Sequence, residues 1–352
     1  MAQDVTAVVR AADVAEVTIC QALPWRYLPI TGPRVRSVSV RVEVRQVLDD
    51  QEIAGVLDLV QAATETDGVR PLNEHVMLHL RYGGDPQARS LLLTEDDTLA
   101  GYAHVDPTDE VEGPSVELVV HPVHRRRGHG ARLLTSVMDL TGGRPRLWAH
   151  GGHPGAGALA AAFGFERVRS LWQMRRSLFA PLDPLALPPG VTLRMFVPGQ
   201  DEEAWLKVNA EAFAHHPEQG AWTMDDLLRR EQEPWFDPEG FFLAFRDDRL
   251  AGFHWTKVHG SSEHGHEPLG EVYVVGVDPS QQGTGLGKAL TLAGLHHLRA
   301  RGLAQAMLYV DEANTAAIRL YESLGFNRWD VDVMYAAPEA GVRASEAGVR
   351  GS

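Results

Sequence analysis

The pattern of apolar and polar positions predicts the same order of strands and helices twice along the chain. Period-two alternation in Val40–Val47 predicts a strand, and the three-to-four spacing of apolar residues after it predicts a helix. The first series continues with a hairpin, a strand, a helix, a strand, a helix and a closing strand, at 90–105, 116–122, 131–140, 146–150, 155–163 and 168–178. The second series repeats this order over 191–196, 201–213, 241–257, 271–279, a helix ending at 301, 306–310, 314–324 and 331–336. Strands that alternate with helices indicate an α/β class with mixed (α+β) sheets.

A proline-rich segment separates the two series. At 352 residues the chain is long enough for two domains of ordinary size. The predicted organisation is a poorly ordered extension, an N-terminal domain, a linker, a C-terminal domain and a disordered tail, at 1–38, 39–179, 180–190, 191–336 and 337–352.

Charge and cysteine content narrow the class of protein. The formal net charge of −14 argues against a broad nucleic-acid surface, which requires a basic face. The one cysteine, Cys20, permits no intramolecular disulfide and fits a reducing cytosol. No apolar run reaches membrane-spanning length. We therefore expect a cytoplasmic monomer with neither nucleic acid nor a membrane as a partner.

A glycine-rich loop follows the apolar strand of the second series. Its spacing, Gln282-x-x-Gly285-x-Gly287, fits neither a dinucleotide-binding loop nor a P-loop. Backbone N–H groups at the start of the following helix lack intrahelical partners, so the loop suits an anion. Alone it could equally be a glycine turn before a helix. The spacing recurs 157 residues earlier as Arg125-x-x-Gly128-x-Gly130, at the same place in the series. A loop of this type is much less expected to occur twice by chance than once.

The two loops resemble the pyrophosphate loop of the Gcn5-related N-acetyltransferases, Q/R-x-x-G-x-G/A. The resemblance implies two tandem acetyltransferase-like (GNAT) domains, with acetyl-CoA as the cosubstrate of the chain.

The repeat also permits a comparison within the chain. Counting from the two loops, at an offset of 157, Pro114 lies opposite Glu271. Counting from the matching pairs Gly164-Phe165 and Gly325-Phe326, at an offset of 161, Ala160 lies opposite Tyr321. The first domain therefore has a phosphate loop without the carboxylate or the tyrosine. We expect it to bind acetyl-CoA without reacting, and we expect the second domain to carry the chemistry.

Acetyl transfer from a thioester needs a neutral amine, a donor to the thioester oxygen and a proton for the leaving thiolate. Glu271 is placed to act as the base, and a backbone N–H within 275–277 could serve the oxygen. Family resemblance gives Tyr321 the role of general acid. The alternatives are a solvated carboxylate at the strand end and an aromatic side chain packed in the core.

Four further motifs resemble the mycothiol synthase family of tandem acetyltransferases. They lie at 212–222, 235–240, 252–257 and 270–279. The resemblance implies acetylation of the cysteinyl amine of 1D-myo-inositol 2-(L-cysteinylamino)-2-deoxy-α-D-glucopyranoside, the last step of mycothiol biosynthesis. Two alternatives stay open: another small amine or a protein N-terminus as acceptor, and a non-catalytic acetyl-CoA sensor.

The resemblance also implies the site residues. The substrate contacts would be Glu74, Glu218, Lys257, Glu271, Tyr309 and Tyr321. Cofactor contacts in the first domain would be Leu118, Val119, Val120, Arg126, Arg127, Gly128, His129, Gly130 and Ala131. Those in the second would be Val275, Gly276, Val277, Gln282, Gly283, Thr284, Gly285, Leu286, Gly287, Lys288, Asn314, Thr315, Ala316, Ala317, Ile318 and Arg319.

From sequence alone, Glu74, Glu218 and Lys257 could instead be solvated charges, and Tyr309 could be a core residue. The pair Gly283-Thr284 departs from the more basic pair expected in such a loop, which leaves Lys288 and backbone N–H groups to hold the pyrophosphate.

A histidine-rich stretch at 258–268 contains metal-ligand residue types. Its glycine and serine content favours a solvated loop, so no metal is expected.

Overall fold

The computed structural model describes residues 38–108, 113–214, 217–260 and 268–338, with only the backbone at Pro217 and Glu218. The described residues from Ser39 onward belong to one compact unit. The predictions for residues 1–37 and for most of the tail lie outside the described residues. Within these ranges, no helix combines the length and the apolar character that a membrane crossing needs.

The N-terminal half forms six strands and four α-helices. The strands are β1 Val40–Arg45, β2 Arg89–Glu95, β3 Thr98–Asp106, β4 Ser115–Val120, β5 Arg146–Ala149 and β6 Glu166–Ser177. The helices are α1 Asp50–Asp67, α2 Glu74–Tyr82, α3 His129–Thr141 and α4 Pro154–Ala162. Helix α1 begins where a capping box forms between Asp49 and Glu52, and it ends at Gly68, which is left-handed with φ 73°.

The C-terminal half repeats this order. Its strands are β7 Val191–Met195, β8 Phe241–Arg246, β9 Arg249–His259, β10 Leu269–Val277, β11 Gln305–Asp311 and β12 Asn327–Ala336. Its helices are α5 Glu202–Ala212, α6 Pro217–Gly220, α7 Met224–Glu231, α8 Leu286–Ala300 and α9 Thr315–Ser323.

All twelve strands join in one sheet, and the two halves exchange their last strands. The order is β1-β2-β3-β4-β5-β12-β6-β11-β10-β9-β8-β7. Strand β12 therefore pairs with β5 of the N-terminal half, while β6 pairs with β11 of the C-terminal half. The two exchanged strands also pair with each other. Each half is thus completed by the chain of the other.

The exchanged strand β6 contributes to the C-terminal core. Met174 of β6 and Leu178, the residue directly after β6, are each 1% exposed and pack in a cluster with residues of α8, α9, β10 and β11. Burying side chains of this size stabilises the fold by about 1.5–3 kcal/mol each. In the other direction, Tyr335 of β12 packs against the N-terminal core. The crossing therefore fixes the halves relative to each other.

The repeat predicted from the glycine loops is present in the backbone. Gly128 and Gly285 both precede a helix and adopt left-handed φ values of 85° and 87°. His153 and Asn314, 161 residues apart, are the N-caps of α4 and α9. The two halves therefore share their local geometry at these positions as well as their order of elements.

Candidate active site

The gap between β10 and β11 defines the centre of the C-terminal half. These parallel strands pair only at Gly270–Ala306 and Glu271–Met307. On its other side, β10 remains paired with β9 as far as Val277. Beyond Glu271, the edge of β10 over 275–277 therefore has no strand partner on the β11 side. This is the backbone edge that the sequence predicts for cofactor contacts.

The loop between β10 and α8 forms an anion cradle. Gly285 is the N-cap of α8 and supplies no side-chain hydrogen bond, so the first N–H groups of the helix are left for a ligand. Gly283 has φ 76°, a conformation that disfavours every residue with a Cβ. At the matching position of the first loop Arg126 adopts a similar φ of 63°, so Gly283 removes backbone strain there, but the loop conformation does not exclude a basic residue.

Lys288, predicted to help hold the pyrophosphate, forms an ion pair with the linker. Its Nζ lies 2.8 Å from Asp183 Oδ2 of the linker, in an ion pair whose side chains are 45% and 61% exposed. An exposed pair of this kind contributes little and can open when an anion competes. In this structure, backbone N–H groups define the C-terminal cradle.

A cavity of about 440 Å³ occupies the matching place in the N-terminal half. Eight of the nine predicted cofactor residues of that half line it: Leu118, Val119, Val120, Arg126, Gly128, His129, Gly130 and Ala131. Arg127 does not, because its guanidinium donates to Glu95 at 2.9 Å instead. Tyr335 of the exchanged strand β12 also lines the cavity.

Glu271 is 7% exposed and lies where β10 and β11 separate. Its Oε2 accepts a hydrogen bond from His259 Nε2 at 2.7 Å. The prediction of a solvated loop over 258–268 is wrong for His259, which is the last residue of β9 and has a side chain that is 34% exposed. A buried carboxylate beside an imidazole can hold a proton and pass it toward solvent.

Tyr321 occupies the inner face of α9 and is 7% exposed. Its ring packs edge-on against Phe326, with 6.0 Å between centroids, so it also serves the core. Burial raises the pKa of its phenol to about 12. The hydroxyl is therefore protonated at neutral pH and available as a proton donor.

A polar network joins the two halves beside Glu271. The ammonium of Lys257, which pairs across the strands with Glu271, donates to Glu74 of the N-terminal half. Tyr273 also donates to Glu74, at 2.5 Å, and accepts from Arg230 at 2.9 Å. Burial acts to raise the pKa of Glu74, but Lys257 and these donors lower it overall. Glu74 is therefore held as a carboxylate.

Tyr273 and Arg230 were not predicted, because in the sequence each has the appearance of an ordinary core or surface residue.

Lys257 also lies over aromatic rings, with its Nζ 4.3 Å from the Trp235 centroid and 5.0 Å from that of Tyr273. Cation–π contacts of this kind favour a charged, well-positioned ammonium. Lys257 is accordingly 8% exposed rather than a surface cation.

The remaining predicted residues lie in β11, at the start of α9 and in α6. Tyr309 is 41% exposed, and its hydroxyl accepts from Gln173 of the exchanged strand β6 at 2.9 Å. Asn314 caps α9 by accepting from Ala317 N at 3.1 Å, so 314–319 form the start of a second helix. The side chain of Glu218 lies outside the described residues.

The acetyltransferase (GNAT) family model matches the chain at residues 51–165 and again at 205–326. The chain belongs to this family. The two matches coincide with the two halves and confirm a tandem pair of GNAT units, as well as the α/β class predicted from the sequence.

Among curated proteins, the chain is similar to mycothiol acetyltransferases. It is 64% identical over 335 residues to that of Streptosporangium roseum, covering 85% of this chain and 99% of the relative. It is 64% identical over 298 residues to that of Thermobispora bispora, with the same coverages. It is 58% identical over 313 residues to that of Acidothermus cellulolyticus, covering 86% and 96%.

Solved structures show the same tandem fold. A tandem GNAT protein from the clavulanic acid biosynthesis pathway superposes with a TM-score of 0.65 at 22% identity, covering 85% of this chain and 98% of that one. At that identity the likeness shows the fold alone. A GCN5-related N-acetyltransferase from Sphaerobacter thermophilus gives a TM-score of 0.59 at 26% identity, covering 84% and 95%.

Strand pairing corrects the comparison between the two GNAT halves. Strand β10 has a bulge at Tyr273, whereas β4 has none along its pairing with β3. The extra residue shifts the register, so that Ser115, rather than Pro114, takes the position of Glu271. Neither residue is a carboxylate. The carboxylate of β4 is Glu117, two residues further on, which contacts His150 and the Asn73 backbone N–H.

A buried cluster lies where β4 and β5 separate in the N-terminal half. His150 Nδ1 donates to Asp332 Oδ2 at 2.9 Å, and its Nε2 lies 3.4 Å from Glu117 Oε1. Glu117 is 2% exposed and accepts from the Asn73 backbone N–H at 2.7 Å. Asp332 comes from the exchanged strand β12, so this cluster binds the two halves together. Burial alone lowers the pKa of His150, but Glu117 and Asp332 raise it to about 10.

This cluster predicts a fold that loses stability at alkaline pH. Because the pKa of His150 is higher in the folded chain, its contribution is complete below about pH 6.5 and is lost as pH rises toward about 10. We expect His150→Gln to lower the unfolding free energy at pH 7 by about 3 kcal/mol, since it leaves two buried carboxylates without a cation. Denaturant unfolding between pH 6 and 10 measures both effects.

The matched control is His296→Gln, which changes an exposed histidine bonded to the Asp183 carbonyl. It should leave the pH dependence of the wild type in place. A His150→Gln protein whose stability falls with pH as steeply as that of the wild type would contradict the assignment.

Proposed function

We propose that the chain transfers the acetyl group of acetyl-CoA to the cysteinyl amine of 1D-myo-inositol 2-(L-cysteinylamino)-2-deoxy-α-D-glucopyranoside, forming mycothiol. The observation that carries the proposal is the 64% identity to proteins named mycothiol acetyltransferase, which this chain matches over 99% of their length. The position of Glu271, beside a gap in the sheet and a polar network between the halves, supports it.

Glu271 is proposed as the general base. An α-amine has a pKa of about 7.7–8.0, so most of the acceptor arrives protonated at neutral pH and must lose a proton before it attacks. Glu271 takes that proton, and His259, 2.7 Å away and partly exposed, provides its route to solvent.

The nitrogen then attacks the thioester carbon, and negative charge develops on the carbonyl oxygen. A backbone N–H on the free edge of 275–277 is proposed to stabilise that charge. When the intermediate collapses, the C–S bond breaks and the sulfur leaves as a thiolate. Tyr321 donates its proton to the thiolate and recovers one from solvent. The nitrogen gives its second proton to Glu271, which has passed the first to solvent through His259, so the products are the amide, free CoA and one net proton.

The network between the halves is proposed to recognise the acceptor. A polyhydroxylated pseudo-disaccharide needs several donors and acceptors, and Glu74, Lys257 and Tyr309 present them around Glu271. Glu218 completes the set by resemblance. Since Glu74 comes from the N-terminal half, the acceptor would lie between the halves, where binding sites often fall.

The two cradles are proposed to differ in their roles. In the C-terminal half, 275–277, 282–288 and 314–319 would bind the reacting acetyl-CoA. In the N-terminal half, the cavity would hold a second acetyl-CoA that does not react, because Ser115 stands where the base would be. The reaction proposed here uses protein groups and the reactivity of the thioester, so no metal is assigned to the chemistry. We further propose a cytoplasmic monomer.

A comparison of acceptors tests the proposed function. Purified chain with acetyl-CoA should acetylate the cysteinyl-glucosaminyl-inositol amine, with the N-acetyl product identified by mass spectrometry. A peptide with an N-terminal cysteine offers the same amine and thiol without the sugar and serves as the control acceptor. We expect kcat/KM for the control to be lower by about 10³ or more, because it leaves the polar groups of the site unpaired. Acetylation of the peptide but not of the sugar conjugate would reject the proposal.

A further inference from the structure

Three possible metal ligands converge in the N-terminal half, outside the proposed chemistry. They are Glu95, the last residue of β2; His124, at the end of the single helical turn Pro122–His124; and His129, the first residue of α3. One ligand atom from each lies within 4.8 Å of the other two. We propose that Glu95, His124 and His129 form a binding site for a divalent transition metal, Zn²⁺ in the first instance.

The state of His129 points to a missing partner. Its side chain is 4% exposed, and its Nε2 makes no hydrogen bond to any of the residues that the structure describes. This nitrogen lies 3.6 Å from Glu95 Oε2. A buried imidazole nitrogen without a partner is costly, and coordination to a metal would satisfy it.

The geometry suits zinc. Imidazole and carboxylate ligands bind Zn²⁺ at about 2.0–2.2 Å, so two ligands of a tetrahedral ion lie about 3.3 Å apart. The separation of His129 Nε2 and Glu95 Oε2 is close to this value. His124 Nδ1 is hydrogen-bonded to the same oxygen of Glu95, so an entering ion would replace this hydrogen bond and its proton. The three side chains are between 4% and 17% exposed, so the ligands are shielded, and a bound Zn²⁺ would complete its tetrahedral coordination with a water.

Arg127 is the cation that neutralises Glu95 in the metal-free chain. Its guanidinium donates to Glu95 Oε2 at 2.9 Å, but its side chain is 53% exposed and can move to solvent. An incoming divalent ion would take over its role at the carboxylate.

The fold itself does not require these three side chains. At the matching positions of the C-terminal half the chain has Arg246, Gln281 and Leu286, and the same hairpin, turn and helix form without any of the ligand types. The fold that the two halves share therefore does not require these three side chains. The site would join the β2–β3 hairpin to both ends of the loop 125–128, so a bound ion would also hold this glycine loop of the N-terminal half in place.

Zinc titration of untagged, chelator-treated protein tests the proposal. We expect one saturable Zn²⁺ per chain by calorimetry against a competing chelator, with a rise in Tm. Co²⁺ in its place should give visible d–d absorption. His124→Ala and Glu95→Gln should each weaken binding by at least about 100-fold, because each removes a direct ligand. Retained binding of acetyl-CoA without metal shows that each variant is folded.

Two controls separate this site from other histidines. His121→Ala changes a ring that lies 5.7 Å from His124 but is not a ligand, and it should leave zinc affinity unchanged. Substituting His264 and His266 together tests the histidine-rich stretch in the same way. Zinc binding that survives in both His124→Ala and Glu95→Gln, disappears with the histidine-rich stretch, or is absent from the wild type would overturn the proposal.

Discussion

Replacing Glu271 by Gln is expected to lower kcat/KM for the acceptor by about 10²–10⁴ at pH 7. Gln keeps the shape of the buried side chain and can still hydrogen-bond His259, but it cannot accept the proton of the ammonium. Release of free CoA, followed with a thiol reagent, measures the rate. The affinity for acetyl-CoA should not change, because Glu271 is assigned to the acceptor.

The pH dependence distinguishes a base from a structural role. As pH rises above about 8, the acceptor amine loses its own proton, so the deficit of Glu271→Gln should shrink. Glu239→Gln, which changes a carboxylate of the same half at the surface turn Pro238–Gly240, is the control and should retain wild-type rates. A Glu271→Gln rate within about threefold of the wild type would remove Glu271 from the role of base.

Tyr321→Phe should lower kcat by about 10², with the KM for acetyl-CoA nearly unchanged. The phenol, with its pKa raised to about 12, donates a proton at neutral pH, whereas Phe cannot. Phe keeps the ring against Phe326, so the substitution removes the donor and leaves the packing. Rapid-quench kinetics at saturating substrates measure the step that includes C–S cleavage.

Unfolding measurements control for the core position of Tyr321. Tyr321→Phe should change stability by less than about 1 kcal/mol, since it removes only a hydroxyl. Tyr335→Phe makes the same change at the N-terminal cavity and should leave kcat unaffected. If Tyr321→Phe kept full kcat, the thiolate would be protonated by another group.

Local pattern predicted most of the elements and both glycine loops. A strand, a loop with left-handed glycines and a helix start are set by neighbouring residues, so Gly128 and Gly285 are identifiable from spacing alone. Glu271 was predicted for the same reason, because it lies at a fixed distance from such a loop. Its burial and its bond to His259 were not, since both depend on how far β9 extends.

The exchange of β6 and β12 could not be predicted in this way. Period-two alternation shows that a strand has a buried face, but it does not show which strand becomes its neighbour. The ion pairs that depend on this topology, such as His150 with Asp332, were therefore missed. The bulge at Tyr273 was missed as well, because one extra residue in an apolar run leaves no signal in the pattern.

Of the two proposed acetyl-CoA sites, only the one in the C-terminal half is expected to transfer its acetyl group. A single-turnover experiment tests this directly. Chain loaded with acetyl-CoA at both cradles, freed of excess ligand and mixed rapidly with acceptor, should transfer one acetyl group per chain in the fast phase. Glu271→Gln, loaded to the same two equivalents, should transfer none on that timescale. A fast phase of two acetyl groups per chain, or one that survives in Glu271→Gln, would show that the N-terminal half also reacts or that Glu271 is not the base.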